Sequence, residues 1–398
     1  MTQSLIAQWH REIDDKLGDR IIGWRRYLHQ RPELSFEEKH TPAFIAAELN
    51  KLGLEVRTGV GGGGVVGLLR GSRPGPTIAL RADFDALPIQ DEKEVEYAST
   101  VPGVMHACGH DGHTSSLLGV ASLLSEQRDS LNGSIVFLFQ HAEEKPPGGA
   151  QAMVADGCLD GVDAVYGIHL ATELPVGQFG LCDGTFMAAV DAFTLHVEGK
   201  GGHAARPHES VDSIVIASEL VGKLQQIVSR RISPLQPAVV SIGKIQGGTA
   251  FNVIAGRTLL EGTVRTFDPQ ARTLIEQEIR TIAEGVALSS HASIRVDYTN
   301  GYPSLVNHSA ETSIARKAIS DTLPDAVIVD LEKRMGAEDF AYYLQHKPGT
   351  FLYVGARGED ERTHFPHHHP RFDIDERALV LSAKAFLSIV GHYLIDRS

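Results

Sequence analysis

The chain is short of cysteine, aromatic side chains and long apolar runs, and each shortage removes a class of protein. Cys108, Cys158 and Cys182 are the only cysteines in 398 residues. An odd, sparse set does not build a disulfide framework and points to a reducing compartment. No Cys-x-x-Cys pair is present. No apolar run approaches the length that spans a bilayer. Met1 to Lys16 lacks the basic start, apolar core and small-residue cleavage site of a secretion signal. A cytoplasmic protein without a membrane partner is therefore expected. Basic residues are in deficit: 37 Lys plus Arg stand against 50 Asp plus Glu, a net charge of −13. That balance argues against nucleic acid as a partner. A phosphate-loop Lys-Ser/Thr motif and a serine-hydrolase elbow are also missing. The run Gly59 to Gly64 satisfies a dinucleotide pattern of spaced glycines. It precedes an apolar strand instead of following one, so it reads as a loop.

What remains is an ordinary folding composition, 42% hydrophobic and 22% charged, in a chain long enough for two domains. Helix and strand signals alternate in the first half. Asp19 to Gln30 carries a helical apolar stripe, and Thr41-Pro42 predicts a second helix with Thr41 as its N-cap. Thr77 to Leu80, Ile135 to Phe139 and Ala164 to Ile168 read as strands, the last two buried on both faces. His113 to Ser125 and Gly149 to Asp156 read as helices between them. This pattern implies an α/β domain with a mostly parallel sheet covered by helices. The texture changes near Gly180. Phe193, Leu195 and Val197 alternate with polar residues. A strand–helix–strand–strand–helix–strand order then runs through Val211 to Ser229, Val239 to Ile245, Thr258 to Thr266, Pro269 to Ser289 and Ser293 to Tyr298. That is the order of a ferredoxin-like α/β sandwich. The first texture returns with a strand at Thr350 to Val354 and helices at Ala310 to Thr322, Ala337 to Gln345 and Asp375 to Tyr393. We therefore expect a larger domain of residues 1–182 and 295–398 interrupted by an insert at 183–294.

Histidine is abundant, at 19 residues, and it clusters. His106-Ala107-Cys108-Gly109-His110-Asp111-Gly112-His113 sets four metal-capable His and Cys side chains among small residues before a helix. Thiolate plus imidazole suits zinc and its neighbours. The bland alternative is a histidine-rich turn. Glu143-Glu144 follows the strand Ile135 to Phe139, at the carboxyl end where open α/β sheets place their sites. One glutamate of such a pair can bind metal while the other serves as a base toward water. A solvated acidic loop is the competing reading. His169 ends the predicted strand Ala164 to Ile168. Asp83 and Asp85 follow another strand and are suited to orient a ligand histidine. His367-His368-His369 stands near the C-terminus.

Taken together these segments resemble the metal-dependent amidohydrolases that include hippurate hydrolase, bacterial N-acyl-amino-acid amidohydrolases and plant auxin–amino acid conjugate hydrolases. That group lies within the wider aminoacylase and carboxypeptidase metallopeptidases. The resemblance spans nearly the whole chain. It rests on Leu28 to Ser35, Arg81 to Ile89, Met105 to Thr114, Ala142-Glu143-Glu144, Gly199 to Ala204, Gly262 to Phe267 and Met335 to Phe340. It implies metal ligands at Cys108, His110, Glu144, His169 and His368. It implies Glu143 as the base that activates water, His203 as a contact to substrate or transition state, and Asn252 as a substrate contact. It also implies that the insert is a lid that commonly mediates dimerisation. This chain departs from the family's usual pattern at His141, where proline is common, and at Lys145-Pro146-Pro147, where glycines are. Ala255 likewise stands in place of a proline. Alignment to Pro370 assigns the last ligand to His368, with His367 and His369 as flanking alternatives.

The function so implied is hydrolysis of N-acyl-amino acids to a carboxylic acid and a free amino acid. The expected cofactor is a pair of divalent ions per subunit, zinc or manganese, with cobalt or nickel as alternatives. The expected assembly is a homodimer. A dipeptidase or carboxypeptidase on the same scaffold is the nearest alternative. A non-catalytic peptide- or metal-binding relative is a remote one.

Overall fold

The structure is a computed structural model, and it describes residues 2–395. The chain divides into two compact units. The larger holds the chain up to Phe186, Val306–Glu332 and the chain from Asp339 onward; the smaller holds Met187–Leu305 and Lys333–Glu338.

The larger unit is built on an eight-stranded sheet: β1 (Glu55–Val60), β2 (Gly64–Arg70), β3 (Arg73–Asp83), β4 (Asn132–Gln140), β5 (Ala164–Pro175), β6 (Gln178–Leu181), β7 (Val327–Asp330) and β8 (Gly349–Arg357). The spatial order is β1-β2-β4-β3-β5-β8-β6-β7. The centre, β4-β3-β5-β8, is parallel, while the β1-β2, β2-β4 and β8-β6 pairs are antiparallel. Central strands are buried nearly end to end, as a sheet covered on both faces requires. Residues Gly59 to Gly64 form the end of β1, the turn and the start of β2, not a nucleotide-binding loop.

Helices His110–Glu126 and Arg377–Leu394 pack together with Gly18–His29 beside the first of them. Arg25, fully buried on Gly18–His29, ties this layer together. Its guanidinium reaches Asp111 at 2.9 Å and Asp373 at 2.8 Å. Asp111 also accepts from His29 Nδ1 at 2.7 Å. Burial alone would raise the Asp111 pKa, but Arg25 and His29 outweigh it and hold the carboxyl below its usual range.

Three sequence expectations change. Helix His40–Lys51 begins one residue before Thr41, and Thr41 does not cap it. The carboxylate of Glu33 accepts the N–H groups of Lys39, His40 and Thr41 instead. A distant carboxylate therefore satisfies donors that a local cap would otherwise serve. β5 does not stop at Ile168. Its pairing with β3 ends at Gly167, but its pairing with β8 continues through His169, Leu170 and Ala171. His169 thus sits on a strand flanked on one side only. The helix near Ala337 starts at Ala341, because Asp339 is held by Arg81, Gln140 and Ala150 N–H before the first turn.

The smaller unit has a four-stranded antiparallel sheet of Ala189–Glu198, Ala238–Gly247, Arg257–Thr266 and Ser293–Asn300. Its spatial order is second, third, first, fourth, which is the ferredoxin-like arrangement. Phe193, Leu195 and Val197 face helices Ser213–Arg230 and Pro269–Ser290 through Ile216, Leu220, Ile275 and Ile279. The limit read from the sequence at residue 294 falls inside the fourth strand, whose pairing runs on to Asn300.

His10, buried in the larger unit, touches the Lys384 carbonyl at 3.2 Å and Ser388 Oγ at 3.3 Å. Burial, then the Lys384 charge, push its pKa down to about 4 from 6.5. The unfolded chain therefore takes up a proton that the folded chain refuses. Stability is unaffected above pH 6.5 and falls as pH drops from 6.5 toward 4. By pH 5 the loss from this group reaches about 2 kcal/mol. His10→Gln should flatten this part of the profile in denaturant melts at pH 7 and pH 5. An identical pH 7 to pH 5 loss in both proteins contradicts the assignment.

Candidate active site

The carboxyl ends of β3 and β4 are locked together first. Arg81 Nε donates to Gln140 Oε1 at 2.9 Å, Nη1 to Asp83 at 2.6 Å and Nη2 to Asp339 at 3.0 Å. Gln140 Nε2 donates to both oxygens of Asp339 at 2.8 Å. All four side chains are buried. Satisfied charge-assisted bonds of this kind fix the strand ends against each other.

The loop before helix His110–Glu126 lies against this frame. Gly109 precedes the helix at φ 89°, a conformation that L side chains rarely adopt. His110 then points Nδ1 at Asp85, 3.1 Å from Oδ1 and 3.0 Å from the backbone oxygen. Asp85 also accepts from Ser35 Oγ at 2.7 Å and from Glu144 N–H at 2.9 Å. One carboxylate therefore positions both His110 and Glu144. Asp83 works differently from the sequence expectation. It accepts from His113 Nδ1 at 2.6 Å, and His113 Nε2 accepts the Leu170 N–H at 2.9 Å. Both nitrogens of His113 are thus engaged, and it braces β5 rather than offering a free donor atom.

The five expected ligands converge around atoms left without hydrogen bonds. His110 Nε2 and Glu144 Oε1 are buried with no hydrogen-bond partner, and they lie 3.8 Å apart. His368 Nε2 is 3.4 Å from the same Glu144 oxygen. His169 gives its Nδ1 to the Leu170 carbonyl at 2.6 Å, leaving Nε2 3.5 Å from Cys108 Sγ. Neighbouring ligands on a tetrahedral ion with bonds of about 2.0–2.3 Å stand roughly 3.3–3.8 Å apart. The separations match, and the orphaned atoms are those that a cation satisfies. Cys108, His110 and Glu144 form one such group; Cys108, His169 and His367 form a second.

Electrostatics make the same demand. Burial would lower the His110 pKa, but Asp83, Asp85 and Glu144 outweigh it and push it up to about 10. Burial, Glu144, Glu143 and Asp83 push the Cys108 thiol far above its usual range. Carboxylates that retain protons on both groups are a poor environment for further negative charge and a good one for a divalent cation.

Glu143, largely buried, precedes Glu144. Just before it, Ala142 sits at φ 53° and donates its N–H to Glu38 at 2.9 Å. Burial and the nearby Asp85 charge push Glu38 up to about 7. The sequence did not single out Glu38 or Gln140, and Arg81 entered only as the first residue of a family-like motif. Asp339 lay in a family-like motif, but its partners are 199 and 258 residues away.

In the smaller unit, Gly202–His203 pairs with Val253–Ile254, and Ala204 N–H donates to the Asn252 carbonyl at 3.1 Å. His203 and Asn252 therefore share a cleft of about 730 Å³ with Thr249 and Arg257. His203 Nδ1 accepts the Ala205 N–H at 3.0 Å, so its ring is oriented locally.

Residues 79–392 match the family model described as peptidase family M20/M25/M40. The chain belongs to this family. It is 45% identical over 380 residues to the N-acetyl-L-cysteine deacetylase of Bacillus subtilis, covering 96% of this chain and 89% of that protein. It is 45% identical over 298 residues to the N-acyl-L-amino acid amidohydrolase of Geobacillus stearothermophilus, covering 75% and 80%. Among solved structures, the Bacillus subtilis YXEP protein, described as a dinuclear metal-binding peptidase of the M20 family, superposes with a TM-score of 0.79. That match is 37% identical and covers 94% of this chain and 97% of that one. As a member of family M20/M25/M40, the chain is a metal-binding hydrolase of amide bonds.

Asp85 reaches both His110 and Glu144, so Asp85→Ala should weaken divalent-ion affinity by about 10–100-fold. Chelator competition measures this. Unchanged affinity in a folded variant contradicts the positioning role.

Proposed function

We propose that this enzyme cleaves the amide of N-acylated amino acids, releasing a carboxylic acid and a free amino acid. The relatives named for that chemistry support the substrate class. The observation that carries the reading is a buried glutamate, Glu143, adjoining a cluster of metal-capable atoms at the carboxyl ends of β3 and β4. Cys108, His110, Glu144, His169 and His368 would hold the ions, two per subunit, of zinc or manganese. Bound divalent ions supply a water of lowered pKa and polarise the scissile carbonyl.

Glu143 takes the proton of the attacking water and delivers it to the departing amine nitrogen. The frame of Arg81, Gln140 and Asp339 keeps the end of β4 from yielding as charge moves. Asp85 holds the N–H of Glu144 and the ring of His110 so that neither rotates away. His203 donates to the developing oxyanion, and Asn252 contacts the substrate. The insert serves as lid and dimer contact, with His203 acting on the partner's site, and the enzyme works in the cytoplasm. No helix among the described residues is long and apolar enough to cross a membrane.

A screen of acetyl-, benzoyl- and indoleacetyl-amino acids against dipeptides, with zinc, manganese or cobalt added, tests the substrate class. Turnover of acyl-amino acids above dipeptides is expected; dipeptides alone being cleaved contradicts it. Glu143→Gln should lower kcat by at least about 10²–10⁴-fold and keep its metal, because a base is lost and no ligand is. Glu144→Gln should lose metal affinity instead, and the reverse pattern would show the pair to be interchanged. Co-refolded dimers of His203→Ala with Glu143→Gln should regain activity at one site of each mixed pair. Verified mixed dimers with no recovery reject action across the interface.

A further inference from the structure

We propose that His367 is a metal ligand in its own right, pairing with Cys108 and His169 at one ion position while His368 serves the Glu144 position. The inference rests on the metal reading above and adds a sixth donor to the five that the family resemblance implies.

The three consecutive histidines have three different environments. His369 Nδ1 accepts the Arg371 N–H at 3.0 Å, and its ring stacks on Phe365 at 4.5 Å between centroids. It organises its own turn. His368 lies at φ 64° and donates its N–H to the Ala107 carbonyl at 2.8 Å, which pins it beside the Cys108 loop. Its Nε2 stands 3.4 Å from Glu144 Oε1. His367 goes elsewhere. Its ring centroid is 5.2 Å from that of His169, and Phe372 supports it at 4.8 Å. Its Nδ1 is buried without a hydrogen-bond partner. A ligand atom of His367 lies within 4.8 Å of ligand atoms of both Cys108 and His169. A left-handed residue is strained for histidine, and strain of this kind persists where surrounding structure enforces it. At His368 it accompanies adjacent side chains that reach different groups.

Cys108 then belongs to both groups, with His110, Glu144 and His368 on one side and His169 and His367 on the other. The two positions differ in chemistry. The first has a carboxylate and accepts hard or borderline ions. The second has one shared thiolate and two neutral imidazoles, a set that suits zinc, cobalt or nickel over manganese. His169 meets the tautomer this requires, because its Nδ1 proton is committed to the Leu170 carbonyl.

The test is zinc stoichiometry and affinity on the full-length chain, stripped and reloaded, read by elemental analysis and calorimetry and not by activity. Wild type should take up two zinc ions per chain. His367→Phe keeps a ring against Phe372 and removes the donor. It should hold one ion at wild-type affinity and lose the other, or bind it at least 100-fold more weakly. His367→Ala should do the same, and His369→Ala should keep both ions. Two ions at wild-type affinity in His367→Phe overturn the inference and leave the metal reading intact. A wild-type chain that takes up no zinc overturns both.

Discussion

Negative charge gathered at the carboxyl ends of β3 and β4 is the constraint on which the larger unit's site depends. Asp83, Asp85 and Asp339 are all buried there, and Glu143 is nearly so. Burying carboxylates is costly unless each is paired or hydrogen-bonded. The structure divides the task. Arg81 answers Asp83 and Asp339, and its own position is fixed by Gln140 at the end of the neighbouring strand. Asp85 is answered by Ser35, His110 and the Glu144 backbone. Glu144 keeps an oxygen, and His110 a nitrogen, with no hydrogen bond. The frame is thus satisfied where it must be rigid and incomplete where a cation can complete it.

A second buried network secures the same loop from behind. Arg25 joins Asp111, the residue after His110, to Asp373, which follows the histidine run. His29 shares Asp111. Removing one partner from such a network strands the rest, so its members act together. Because it ties the residue just after Cys108–His110 to one shortly after His367–His369, two segments far apart in sequence keep a common register. The Ala107 carbonyl bonded to His368 N–H is the direct joint between them.

Much of this was legible in the sequence, for identifiable reasons. Continuous apolar runs marked the buried parallel strands, because a sheet covered on both faces leaves no polar side. Cys108 and His110 stood out in a histidine-rich turn before a helix and Glu143-Glu144 as a pair after a strand, while only the family resemblance joined them into one ligand set. What stayed hidden depends on contacts between distant segments. Asp83 and Asp85 are equivalent by pattern, and only the landing of helix His110–Glu126 gives His110 to one and His113 to the other. β5 outruns its apolar stretch because β8 pairs with it where β3 has ended. Glu33 replaces Thr41 as the cap of helix His40–Lys51 across a loop that no local rule anticipates. Three identical histidines in a row carry no periodic signal at all; a left-handed backbone at His368 separates them.

On the proposed reading, a cation draws the Cys108 thiol, which burial and then its carboxylate neighbours hold far above the usual thiol range, into use as a ligand. The near-ultraviolet spectrum of the cobalt(II)-loaded protein tests this most directly. A thiolate-to-cobalt charge-transfer band is expected in wild type and not in Cys108→Ser, with Cys158 and Cys182 left in place. A cobalt-loaded protein without that band, or one whose band survives Cys108→Ser, would contradict it.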